Sequence, residues 1–184
     1  MKLASLKQGG RDGSLIVVSG DLSRAVRCEQ IAGTLQQALD NWQEAAPGLD
    51  ALYRQLCGDA GPEGAFDFDA AACSSPLPRA CQFLDGSAYV NHVELVRRSR
   101  GVEMPASFWT DPLMYQGCSD SFHAPGDDMP YIHDADWGAD FEGEIAIITD
   151  DVPMGVSLAE AGRRVAVLGD MLETGLIDRD TYER

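Results

Sequence analysis

Polar and apolar positions alternate from the start of the chain. Lys2 to Lys7 alternates, Gln8-Gly9-Gly10-Arg11-Asp12-Gly13 is dense in turn formers, and Ser14-Leu15-Ile16-Val17-Val18 is a β-branched run, which together predict a β-hairpin. Thr34 is placed to cap a helix whose Leu35, Leu39 and Trp42 fall on one face. Pro47-Gly48 is expected to interrupt that helix before a second helical turn carrying Leu49, Leu52, Tyr53 and Leu56. All of these read as packing residues. From Cys57 to Pro78 the chain accumulates Gly58, Gly61, Pro62, Gly64, Pro76 and Pro78. This predicts a loop-like boundary between a lead-in domain and a second one.

Beyond the boundary, Ala88, Asn91, His92 and Leu95 recur at helical spacing, predicting a helix from Ser87 through Arg100 that stops at Gly101. Phe108-Trp109 and Pro112-Leu113-Met114-Tyr115 are apolar, and the small-residue loop Gln116-Gly117-Cys118-Ser119-Asp120-Ser121 suits close approach of a ligand. Asp140 to Thr149 alternates acidic with apolar residues before becoming wholly apolar, the pattern of a strand buried at its far end. No internal repeat is visible.

Composition narrows the class. With 184 residues, 45% of them apolar, the chain can bury a real core as one large domain or as a small domain plus part of another. The opening residues form no apolar stretch long enough for a signal peptide, and no later stretch has the length of a membrane span, so a cytoplasmic location away from membranes is expected. The five cysteines are scattered with no Cys-x-x-Cys pair, which points to reduced thiols rather than a disulfide framework or zinc knuckle. Fourteen basic residues against thirty acidic ones leave a net charge of −16, which argues against a nucleic-acid partner. The imbalance is concentrated: no Lys or Arg occurs from Gly101 to Gly162, a stretch rich in Asp and Glu. Such carboxylates ordinarily form a solvated acidic surface, whereas any that face inward need a cation or a proton.

Two local patterns carry candidate chemistry. On a strand, Glu142 and Glu144 of Asp140-Phe141-Glu142-Gly143-Glu144 would project side by side, about 6.6 Å apart along the chain, and could grip one hard divalent cation such as Mg²⁺ or Ca²⁺. An exposed acidic sheet edge is the alternative. Asp85 precedes His92 by seven residues, close to two helical turns, so both could lie on one wall of a helix beginning near Ser87. In the plainer reading Asp85 caps that helix and His92 is an ordinary half-buried imidazole. His123 and His133 have no matching pattern.

Asp85 with His92, the Tyr115-Gln116-Gly117-Cys118-Ser119 loop and Asp140-Phe141-Glu142-Gly143-Glu144 together resemble three successive blocks of the fumarylacetoacetate hydrolase family, in that family's order. Residues 1–78 resemble the small N-terminal β domain of one bacterial branch, and residues 79–184 the front of the catalytic domain, with 157–184 as a divergent tail. The resemblance implies an α+β, mostly β fold: a small N-terminal β domain followed by part of a mixed β-roll or sandwich catalytic domain. It implies hydrolysis of a carbon–carbon bond in a β-diketo acid such as fumarylacetoacetate or an acylpyruvate, with family decarboxylases and isomerases as neighbouring reactions. Carried over, Asp85, Glu142 and Glu144 match metal ligands for Mg²⁺ or Ca²⁺, or Mn²⁺; His92 matches the base that activates water; Tyr115 matches a substrate contact. The cation would polarise substrate oxygens, and an imidazole suits proton transfer near neutral pH. A homodimer is implied as well.

The chain also departs from the family. The family pattern has a further Asp on a later strand and a Lys beyond it, but Lys2 and Lys7 are the lysines of this chain. After Ser157 the stretch Ala161 to Leu172 departs from the pattern and faintly resembles peptidoglycan-building amide ligases; Asp170, ending a short apolar run, could stand in for the further ligand. The expectation is a C-terminally truncated member. Its alternative is a catalytically inactive fragment that acts only by association.

Overall fold

The computed structural model describes residues 1–87, 89–111, 113–117, 122–128, 146–149 and 151–162. Among them, six strands in two antiparallel sheets and three α-helices make an α+β fold. Two compact units are formed, one holding Met1–Leu77 together with the described residues from His123 onward, the other Pro78–Phe122. No helix among the described residues is long and apolar enough to cross a membrane.

The predicted hairpin is present. Strands β1 (Lys2–Leu6) and β2 (Ser14–Val18) pair with Lys2 opposite Val18 and Leu6 opposite Ser14. The connection turns through left-handed backbone at Gly13, where a Cβ would sit 2.7 Å from the Leu6 carbonyl oxygen, so only glycine fits. β3 (Arg24–Arg27) pairs with β2, and β4 (Phe66–Asp67) with β3, giving the order β1-β2-β3-β4. All five residues of β2 are buried because both of its faces are covered. Leu15 and Val17 join a cluster with Val26, Leu35, Leu49 and Leu56, while Ile16 and Val18 join a second with Leu6, Ala25 and Cys73.

Helix α1 (Leu35–Asp40) begins as expected at Thr34, whose Oγ1 accepts a hydrogen bond from Gln37 N at 3.1 Å. The predicted break at Pro47-Gly48 is not there. The chain breaks instead at Asn41, in a non-helical conformation at φ −133°, and α2 (Trp42–Cys57) runs straight through Pro47. A proline inside a helix costs about 3 kcal/mol. Continuing the helix buries Leu49 and Leu56 completely, worth about 1.5–3 kcal/mol each, with Ala45 beside them, and packing wins. Arg24 secures the far end by donating from Nη2 to the carbonyls of Leu56 at 2.7 Å and Gly58 at 3.1 Å, a cation placed on the negative end of α2.

The Cys57–Pro78 boundary is not simply loop. After β4, a 3₁₀ turn (Ala70–Ala72) brings Cys73 opposite Leu6, with Lys7 N donating to Ala72 O at 2.9 Å and Ser74 N to Ser5 O at 2.7 Å. One segment thus covers the β3 edge and then the β1 edge, leaving neither open to a foreign strand. Ser5 Oγ, fully buried, donates to the Pro76 carbonyl at 2.7 Å and completes the closure.

Between β2 and β3 the turn forces Leu22 into left-handed backbone at φ 61°, costly for a leucine. Asp21 stabilises the turn: its Oδ1 accepts from Ser19 Oγ at 2.6 Å, from Ser23 Oγ at 2.8 Å and from Ser23 N at 3.1 Å. These bonds, Ser19's hydroxyl first, hold the carboxyl down to about 2 from an ordinary 3.8.

In the second unit, β5 (Leu84–Gly86) pairs with β6 (Met114–Gln116). Helix α3 spans Val90–Ser99, and the left-handed Gly101 comes after its end as predicted. Its start is later than predicted, because Ser87 N donates to Leu113 O at 3.0 Å and prolongs the β5–β6 ladder; Tyr89 is the capping position, so Asp85 is not the helix cap. Of the predicted strand Asp140–Thr149, residues 140–145 lie outside the described residues. Residues 146–149 carry no regular secondary structure, with Ile147 exposed and Ile148 half-buried against the first cluster.

Leu49→Ala is expected to lower the unfolding free energy by about 2–5 kcal/mol in urea titrations while Pro47→Ala raises it, and unchanged stability of the leucine variant would refute the account of α2. Asp21 favours its deprotonated form in the fold, so its contribution is complete above 3.8 and disappears as pH falls toward 2. Carboxyl-carbon NMR should place its midpoint near 2, and Ser19→Ala should move that midpoint upward.

Candidate functional site

The β5–β6 pair sets Asp85 directly opposite Tyr115. Opposed residues of an antiparallel pair project to one face with Cβ atoms about 4.5–5.5 Å apart, so two side chains thirty positions apart in sequence become neighbours. Both are exposed, Tyr115 by 65%. Among the described residues no cationic side chain pairs with Asp85. The carboxylate is therefore an open oxygen donor beside a phenol.

His92 is the third residue of α3 and is exposed, next to the buried Val93. It does not share a helix with Asp85: a strand end and a capping residue intervene, so the expected two-turn relation is replaced by placement on consecutive elements, β5 and then α3. The half-buried imidazole of the plainer reading is not found either. Glu142 and Glu144 lie outside the described residues, as do His133 and Asp170, and among the described residues no three His, Cys, Asp or Glu side chains converge on one point.

The small-residue loop has an internal role at its first turn. Gly117 N donates to Phe83 O at 3.1 Å, and a Cβ at Gly117 would sit 2.5 Å from Phe83 Cδ1. The missing side chain makes room for an aromatic ring of the same unit rather than for a ligand, and Phe83 meets Phe122 edge-on at 5.7 Å. Residues 118–121 lie outside the described residues.

Leu84, Gly86, Met114 and Gln116 project to the other face of the pair. There the structure holds a cavity of about 380 Å³ whose wall includes Ser87, Val90, Trp109, Asp111 and Leu113. Sequence patterning marks Phe108-Trp109 as apolar without assigning it a role. The signal it lacks is the 3₁₀ turn Ala106–Trp109, in which Phe108 and Trp109 pack edge-on at 5.7 Å and leave Trp109 67% exposed.

Two thiols are buried and held in their protonated form. Burial, with the charge of Glu29 adding to it, pushes the Cys28 thiol up to about 12, and burial followed by Asp69 raises Cys73. Cys57 and Cys81 are exposed.

Residues 1–79 match the family model for fumarylacetoacetase N-terminal domain 2, and residues 82–181 match the model for the fumarylacetoacetate (FAA) hydrolase C-terminal region. A comparison with curated proteins gave no match.

Iodoacetamide at pH 8 should label Cys57 and Cys81 in the native protein and reach Cys28 and Cys73 only after denaturation. Native labelling of Cys28 would contradict the packing of the first cluster.

Proposed function

The chain belongs to the fumarylacetoacetate hydrolase family, and from that premise we propose that it is a cation-dependent hydrolase cleaving a carbon–carbon bond of a β-diketo acid such as fumarylacetoacetate or an acylpyruvate. The observation that carries this reading is the exposed Asp85–Tyr115 pair, followed in the chain by α3 with His92 in its first turn. A carboxylate suits a cation, an imidazole suits proton transfer and a phenol suits a hydrogen bond to substrate in such a reaction.

The donor chemistry fits a hard divalent cation. Asp85, Glu142 and Glu144 offer oxygen ligands alone, and Asp85 has no protein cation among the described residues competing for it. Mg²⁺, Ca²⁺ or Mn²⁺ held by these three would supply Lewis-acid polarisation of the substrate's oxygens. His92, open to solvent, takes a proton from water at an imidazole nitrogen. The hydroxide so formed adds to a substrate carbonyl, the adjacent carbon–carbon bond breaks with its electron pair delocalised onto the neighbouring carbonyl as an enolate, and return of the proton held by His92 to the departing carbon yields a ketone and a carboxylic acid, which ionises. Tyr115 donates a hydrogen bond from its phenol to a substrate oxygen. The proposal includes a homodimer, supported by the exposed apolar side chains Leu84, Tyr89, Trp109, Leu113 and Met114 of the second unit.

Titration calorimetry with Mg²⁺ or Mn²⁺ should detect binding that Asp85→Asn and Glu142→Ala abolish. His92→Ala should bind the cation as the parent does yet lose about 10²–10⁴-fold in the rate of acylpyruvate hydrolysis. A His92→Ala protein of normal rate would remove the imidazole from the reaction, and an Asp85→Asn protein of normal affinity would remove Asp85 from the ligand set.

A further inference from the structure

The cavity on the face of the β5–β6 pair turned away from Asp85 and Tyr115 has no part in the proposed reaction. At about 380 Å³ it has room for a small organic molecule. Its lining is apolar except for Ser87, Thr110 and Asp111. Val90, Leu113, Met114 and most of Trp109 are exposed, so apolar surface stands there without cover among the described residues. The edge-on contact with Phe108 holds the indole in place before any ligand arrives.

Among the described residues, Asp111 is the one charged residue of the wall. Its backbone N–H donates to Ser107 O at 2.8 Å, which fixes it just past the end of the 3₁₀ turn Ala106–Trp109. No hydrogen bond or ion pair takes up its carboxylate among the described residues. The arginines preceding it, Arg97, Arg98 and Arg100, are not part of the lining, and no further lysine or arginine occurs before Arg163.

The cavity thus combines a negative charge with an open indole, and no protein cation answers either. An indole face attracts a cation through its quadrupole. A primary ammonium surrenders three hydrogen bonds to water on entry, and this mostly apolar wall has few acceptors to replace them. A quaternary ammonium has no N–H to satisfy. Its methyl groups suit Val90, Leu113 and Met114, and its charge suits Trp109 and Asp111. We propose that the cavity walled by Trp109 and Asp111 is a binding site for a small, free quaternary ammonium compound. The site is independent of the divalent-cation reading, because Asp85 and Tyr115 project to the opposite face of the same two strands.

The test titrates choline into the full chain at constant ionic strength. The Trp109 indole N–H, assigned by its loss in Trp109→Leu, is followed by NMR together with the backbone amides of Ser87 and Leu113. Choline should give saturable shifts, and its uncharged isostere, in which carbon replaces the nitrogen, should bind roughly tenfold more weakly. Trp109→Leu and Asp111→Asn should each weaken choline binding by about two- to fivefold, read at the amides, whereas Asp85→Asn should bind it as the parent does. Both side chains are exposed, so the fold should tolerate their replacement, and the isostere comparison needs no variant at all. Equal binding of choline and its isostere would reduce the cavity to an apolar hollow and overturn the proposal. So would absent or unsaturable shifts, loss of binding in Asp85→Asn, or normal binding in Asp111→Asn. Sedimentation with phosphatidylcholine vesicles is not expected, and its appearance would assign the site to a lipid headgroup and overturn the free-ligand reading.

Discussion

Burial of β2 on both faces is the constraint on which the rest of the N-terminal module depends. A five-residue strand with no solvent-facing side needs apolar cover above and below, and the chain supplies it from two different segments. The α1–α2 pair covers Leu15 and Val17; the run from Phe66 to Cys73 covers Ile16 and Val18. The demand is strong enough to carry α2 through a proline and to place Arg24 at that helix's end, where its hydrogen bonds join β3 to the carbonyls of Leu56 and Gly58. Local preference yields to the packing of Leu49 and Leu56 because two buried leucines outweigh one missing hydrogen bond.

Local signals in the sequence are legible where they act over a few residues. The hairpin, the Thr34 cap and the Gly101 stop are each specified by neighbours in the chain, and each is present. Features decided at a distance mislead. Pro47 reads as a breaker until the burial of residues on either side is known. Ser87 reads as a helix start until Leu113 is found bonded to it. The Cys57–Pro78 stretch reads as linker because its glycines and prolines are visible, whereas its edge pairing with β1 depends on residues some seventy positions earlier.

The site shows the same division. Its spacing to His92 singles out Asp85 and resemblance alone singles out Tyr115, whereas cross-strand register makes the two neighbours, a relation invisible to any periodicity along a single element. The helical wall expected to join Asp85 to His92 is a wrong inference from a correct spacing: seven residues is two turns only if all seven are helical, and Leu84–Gly86 is strand. The cavity beside Trp109 is unreadable in the sequence because its wall comes from four short elements whose meeting no local pattern encodes.

The ion pair between Lys7 and Asp127 and the docking of Ile148 join the beginning of the chain to positions far along it. Contacts of such high sequence separation raise the contact order of what would otherwise be a rapidly forming hairpin and helix pair. During synthesis the sheet can assemble early, but its cluster acquires Ile148 only after the intervening unit has left the ribosome. The N-terminal module thus waits, partly uncovered, for a residue encoded beyond its neighbour.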